Sequence, residues 1–102
     1  MKCERSATFK ANYKGLSDKE KELFGTAVRE INQAFAKHKG DGLPEWPGKL
    51  RIKPVQGARG IWEMTWSFSG PDGRATFELV GSHKEPIILW RRIGGHAIFK
   101  KP

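Results

Sequence analysis

The apolar positions of this chain fall into two kinds of spacing, and the change from one to the other divides it. From Leu23 onward they run Leu23, Phe24, Ala27, Val28, Ile31, Ala34 and Phe35. Steps of three and four place these side chains on one stripe of an α-helix. Ser17 followed by Glu20 forms a capping box that should start this helix. Lys37, His38 and Lys39 fill its last turn, where positive charge suits the helix dipole, and Gly40 is the natural stop. The pattern predicts a helix over 17–39.

Beyond residue 60 the period becomes two. Over Gly60 to Ser67, Trp62, Met64 and Trp66 share one face, with Glu63 and Thr65 on the other. Over Arg74 to Val80, Ala75, Phe77 and Leu79 oppose Arg74, Thr76 and Glu78. Gly70-Pro71-Asp72-Gly73 supplies turn chemistry between these segments, so they should form a hairpin. Ile87-Ile88-Leu89-Trp90 predicts a further strand, followed by a tail from Gly94 to Pro102. Ala7 to Lys10 reads as a short strand. Gly40 to Gly48, rich in Gly and Pro, reads as a connection. Leu50 to Val55 can be extended, though Pro54 argues against a central position.

The expected architecture is α+β: an antiparallel sheet of about four strands packed against one long N-terminal helix. The helix should cover the apolar strand faces and leave Glu63, Thr65, Arg74, Thr76 and Glu78 on the opposite side. A length of 102 residues fits a single domain, 1–102. Four Trp and six Phe provide large apolar area for so small a core.

Charge narrows the choice of partner. Nineteen Lys and Arg against 11 Asp and Glu give a net charge of +8, which points to a polyanion or an acidic protein. Cys3 is the sole cysteine, so neither an internal disulfide nor a cysteine-based zinc site is available. No apolar run reaches the roughly 18–20 residues of a membrane span. Met1 to Lys10 has no apolar stretch of the kind a signal peptide needs, so a cytoplasmic location is expected. The three histidines are scattered, and no phosphate loop, dinucleotide glycine motif or Gly-x-Ser-x-Gly elbow occurs.

Three groups of residues can carry chemistry. Lys49, Arg51 and Lys53, with Arg59 nearby, would share a face if that segment is extended, and could hold RNA phosphates or simply form a solvated basic edge. Arg74 could grip a phosphate or pair with Glu63 across the hairpin. Trp90-Arg91-Arg92-Ile93-Gly94-Gly95-His96 combines two arginines with a histidine. Arginine stabilises charge on a phosphate in the transition state, and histidine transfers protons near neutral pH. Trp62 and Trp66 read as core, whereas Trp46 in the connection is more open to stacking on bases.

Taken in order, Gly60-Ile61-Trp62-Glu63-Met64-Thr65-Trp66, Asp72-Gly73-Arg74-Ala75-Thr76-Phe77 and Trp90-Arg91-Arg92-Ile93-Gly94-Gly95-His96-Ala97-Ile98-Phe99 resemble toxins of the RelE/ParE superfamily. The preceding helix and Gly57 fit as well, and the resemblance runs roughly from Phe9 to Phe99. It implies a small basic toxin of a toxin–antitoxin module. Such a toxin is an endoribonuclease that cleaves mRNA, commonly in the ribosomal A site, without a metal or other cofactor. Its partner would be an acidic antitoxin bound as a hetero-oligomer. By position, Arg74 matches the arginine that contacts the phosphate, Arg92 and His96 match the basic residues closing the last strand, and His96 would transfer the proton. Lys49, Arg51, Lys53, Arg59, Arg91 and Phe99 would contact RNA. Where RelE toxins carry lysines on the second strand this chain has Glu63 and Thr65, which makes Glu63 a candidate general base. Where many relatives have a terminal tyrosine it has Phe99. ParE-type members with the same fold poison DNA gyrase instead, and a decayed module that only binds RNA or antitoxin is a further alternative.

Overall fold

The computed structural model describes residues 2–38, 40, 43–67, 73–82 and 84–94. In chain order they form β1 (Lys2–Arg5), α1 (Ala7–Lys14), α2 (Asp18–Lys37), a 3-10 turn at Gly48–Leu50, β2 (Lys53–Pro54), β3 (Ile61–Ser67), β4 (Gly73–Gly81) and β5 (Pro86–Gly94). The strands make one sheet in the order β1-β5-β4-β3-β2. β2, β3, β4 and β5 pair antiparallel, as expected from the sequence. The fifth strand, β1, joins parallel to β5 with Lys2 opposite Ile87, so the sheet is mixed.

The long helix begins where its capping box requires. The Ser17 hydroxyl accepts from Glu20 N–H at 3.1 Å, and the Glu20 carboxylate accepts from Ser17 N–H at 2.9 Å. Its last helical residue is Lys37 and its C-cap is His38, two residues before the glycine expected to stop it. Phe24, Ala27 and Ile31 are buried, with Leu23, Val28 and Phe35 packed beside them.

The strand expected over Ala7 to Lys10 is instead the first turn of α1. Ser6 sets this: its hydroxyl accepts from Phe9 N–H at 3.0 Å, a capping bond that starts a helix. Phe9, Tyr13 and Leu16 then recur at helical spacing, with Phe9 fully buried. The segment 50–55 is not continuously extended. Arg51 takes a left-handed conformation at φ 49°, which turns the chain out of the 3-10 turn and leaves a strand of only two residues, at the sheet edge where Pro54 is tolerated.

Both helices cover one face of the sheet. On that face Met64, Trp66, Ala75, Phe77, Ile88, Trp90 and Ile93 are buried. Trp46 belongs to this core: its ring lies 5.8 Å from Phe35, 6.1 Å from Trp62 and 6.0 Å from Phe77, so it packs the connection down and is not a free stacking surface. The Gly70 to Asp72 part of the expected turn lies outside the described residues, but the hairpin is confirmed by Thr65 opposite Arg74 and Glu63 opposite Thr76.

Gly73 is required by close packing. A Cβ built on it would stand 2.5 Å from a ring carbon of Trp66, which is buried. Gly73→Ala should therefore lower the unfolding free energy by about 1–3 kcal/mol, the usual range for overpacking a core. Urea denaturation checks this; a wild-type midpoint would contradict the close packing.

Candidate functional site

Because the helices occupy one face, the alternate residues of β3, β4 and β5 lie together on the other. The register defines rows across this open face. One row runs Lys53, Glu63, Thr76, Arg92, and the next runs Thr65, Arg74, Gly94. Neighbouring strands stand about 4.8 Å apart, so Glu63 and Arg92 are separated by roughly 10 Å of sheet with Thr76 between them. Arg74 is the diagonal neighbour of Glu63.

Thr76 is fully buried and Thr65 nearly so, although both face away from the helices. They lie among the longer side chains of Glu63, Arg74 and Arg92. Arg74 donates from Nη1 to the Thr65 hydroxyl. It does not take the cross-hairpin pairing with Glu63 that the sequence left open, because Thr65 is the residue directly opposite it. Glu63 pairs with Lys53, whose Nζ lies 3.4 Å from Oε1. That lysine is 68% exposed, so the pair adds little to stability. Its consequence is local: it ties the carboxylate to the β2 side of the face.

Arg91 and Arg92 both belong to the open face, because β5 carries a bulge. Phe77 is opposite Trp90 and Thr76 is opposite Arg92, which leaves Arg91 as an extra residue. Trp90 and Ile93 on either side are buried. The arginine pair thus lies inside a nine-residue strand, further from its end than the sequence suggested. Arg91 Nη1 pairs with Glu78 Oε2 at 3.1 Å.

The basic cluster of the connection is dispersed. Lys49 pairs with Glu30 of α2, on the helix layer. Arg51 and Arg59 are exposed, on either side of β2, and Lys53 pairs with Glu63 of the open face. The shared basic face expected for Lys49, Arg51 and Lys53 is absent because the left-handed turn at Arg51 breaks the extended run. His96 and Phe99 lie outside the described residues. Among the described residues no group of three or more His, Cys, Asp or Glu side chains could hold a metal ion, and no helix is long and apolar enough to cross a membrane. Two residues that the sequence did not mark support the face from below: Ser6 and Asn12 of the α1 region bond to the β5 backbone around the bulge.

Similarity to solved structures fixes the architecture. A YoeB/ParE toxin from Agrobacterium tumefaciens superposes with a TM-score of 0.63 at 16% identity, covering 94% of this chain and 99% of that one. A chain of the RelB–RelE antitoxin–toxin complex from Methanococcus jannaschii superposes with a TM-score of 0.62 at 17% identity, covering 97% and 99%. The chain has the RelE/ParE fold. No protein-family model and no curated protein matches its sequence. With the RelE/ParE fold established, the open face is the surface formed by the middle strands of that fold, opposite its helices.

Cys3 is the one thiol, and it stands apart from this face, by Phe9 and Trp90 at the α1 side. Cys3 is exposed as a residue, but partial covering of its sulfur pushes the thiol above its ordinary value, a hydrogen bond with the Trp90 side chain opposing the shift in part. It is therefore protonated at neutral pH and a poor nucleophile. Alkylation of Cys3 by iodoacetamide at pH 8 should run slower than that of free cysteine; an equal or faster rate would contradict this assignment.

Proposed function

We propose that the chain is the toxin of a toxin–antitoxin module and that it cuts mRNA on the ribosome, with the open sheet face as its site. Two things support the reading: the fold shared with a YoeB/ParE toxin and with a chain of an antitoxin–toxin complex, and the residues that this face carries. The observation that carries the proposal is the placing of Arg74, Arg92 and Glu63 on one face around Thr76.

The arrangement suits transesterification of RNA. Glu63 takes the proton from a 2′-hydroxyl, whose oxygen attacks the adjacent phosphorus. Charge building on the phosphate oxygens is met by the guanidinium groups of Arg74 and Arg92, which present planar forks of donors. The bond from phosphorus to the 5′-oxygen then breaks, leaving a 2′,3′-cyclic phosphate. The departing oxygen takes a proton from His96, a role that rests on the sequence resemblance alone. Phe99 would stack on a base. In this reading an acidic antitoxin covers the same basic face, and the net charge of +8 favours both partners.

The test is induction of wild type, Arg92→Ala and His96→Ala in a bacterial host, with mRNA 5′ ends mapped over the first minutes. Wild type should create new ends within translated reading frames. Arg92→Ala should reduce their rate of appearance by about 10²–10³-fold, the usual cost of removing one donor to the transition state. Growth arrest with intact mRNA and DNA-damage signalling would favour gyrase as the target and overturn the nuclease reading.

A further inference from the structure

Strict alternation along β5 would send Arg92 to the core face with Trp90. The bulge at Arg91 prevents this, and the chain spends specific hydrogen bonds on holding it. Ser6 N–H donates to the Trp90 carbonyl at 2.9 Å. The Ser6 hydroxyl donates to the Arg91 carbonyl at 2.7 Å while accepting from Phe9 N–H at 3.0 Å. Asn12 Oδ1 accepts from Ile93 N–H at 3.4 Å. One hydroxyl therefore starts α1 and fastens the bulged residue of β5, 85 positions away.

Over this bulge lies a groove of about 520 Å³. Ser6, which caps α1, and Thr8 in its first turn line it on one side, Ile61 and Leu89 give it apolar surface, and Arg91 and Arg92 give it charge. Its volume falls within the roughly 300–1,000 Å³ of small-ligand sites. Its chemistry is mixed in a particular way. A fork of arginine donors suits a phosphate, small hydroxyls suit phosphate and sugar oxygens, and apolar surface beside a guanidinium suits the flat face of a base. Glu78 holds Arg91 at 3.1 Å, so an incoming group must compete with a carboxylate for that guanidinium, which favours an anion over a neutral ligand.

We propose that this groove is an RNA subsite for one nucleotide next to the scissile phosphate, with Arg91 contacting its phosphate, and that Ser6 is the positioning residue that keeps the groove in shape. The proposal rests on the reading of the open face as an RNA-cutting site. It adds to that reading a second phosphate contact, and a residue outside the sheet on which the contact depends.

The experiment is equilibrium binding of a fluorescein-labelled 2′-O-methyl RNA hexamer of mixed sequence, which cannot be cut, across a salt series. The proteins compared are wild type, Ser6→Ala, Ser6→Thr and Arg91→Gln, each checked for native circular dichroism. Arg91→Gln should weaken binding and lower the salt slope by about 0.7, the value for one phosphate contact on a single strand. Ser6→Ala should reproduce that loss of slope, and Ser6→Thr, which keeps a hydroxyl, should restore it. A purely structural role for Ser6 would lower thermal stability and leave the slope of the folded protein unchanged, and that result overturns the proposal for Ser6. Wild-type affinity and slope in Arg91→Gln, a side chain whose replacement leaves the core untouched, or no binding of the hexamer to wild type, overturns the groove itself. If the hexamer binds with these variant effects while no mRNA is cut in cells, the subsite stands and the nuclease reading fails.

Discussion

The packing around Phe77 is the constraint from which the other features follow. Its ring, fully buried in β4, lies 5.3 Å from Trp90 of β5, 6.3 Å from Trp62 of β3 and 6.0 Å from Trp46 of the connection. Through Trp90 the contacts continue to Phe24 of α2 at 5.0 Å and Phe9 of α1 at 6.1 Å. Rings of this size bury some 150–250 Å² each, enough for a few of them to hold a small domain. The cluster joins both helices, three strands and the loop into one core. It also commits every second residue of the middle strands to one side of the sheet.

That commitment creates the open face. Residues between the aromatic positions have nowhere to go but the opposite side, and there Glu63, Arg74 and Arg92 gather around Thr76. The bulge in β5 changes the count by one residue and so places two consecutive arginines beside each other without moving Trp90 or Ile93 from the core. Stability and chemistry are thus divided between the two faces. Ser6 and Asn12 connect them, since they bond the end of the helix layer to the backbone beneath the arginines.

Much of this was legible in the sequence, for physical reasons that differ from element to element. The long helix carried both a seven-residue apolar stripe and a capping box, and its start came out at the residue the box marks. The β3–β4 hairpin followed from clean alternation on both arms. Ala7 to Lys10 taken alone favours a strand, whereas Phe9, Tyr13 and Leu16 have helical spacing behind Ser6. β1 is exposed at all four positions and so has no alternation to read. The extended reading of Lys49 to Lys53 failed because a non-glycine residue, Arg51, takes a left-handed conformation that no pattern announces. The bulge did leave a trace: the buried positions of β5 are 88, 90 and 93, a step of two followed by a step of three. Of the open face, the alternation placed Glu63 and Arg74, whereas Arg91 and Arg92 reach it only through the bulge. Ser6 and Asn12 were missed, because their role depends on contacts some 80 residues away in sequence.

The central claim is that RNA is engaged by the open sheet face, and amide chemical-shift mapping tests it most directly. Titrating ¹⁵N-labelled protein with an uncleavable 2′-O-methyl RNA should produce saturable shifts that cluster at Glu63, Thr65, Arg74, Thr76, Arg91 and Arg92, with the α2 surface largely unchanged. Shifts concentrated on α2 and the Glu45 to Lys49 segment, or the absence of saturable shifts, would contradict it.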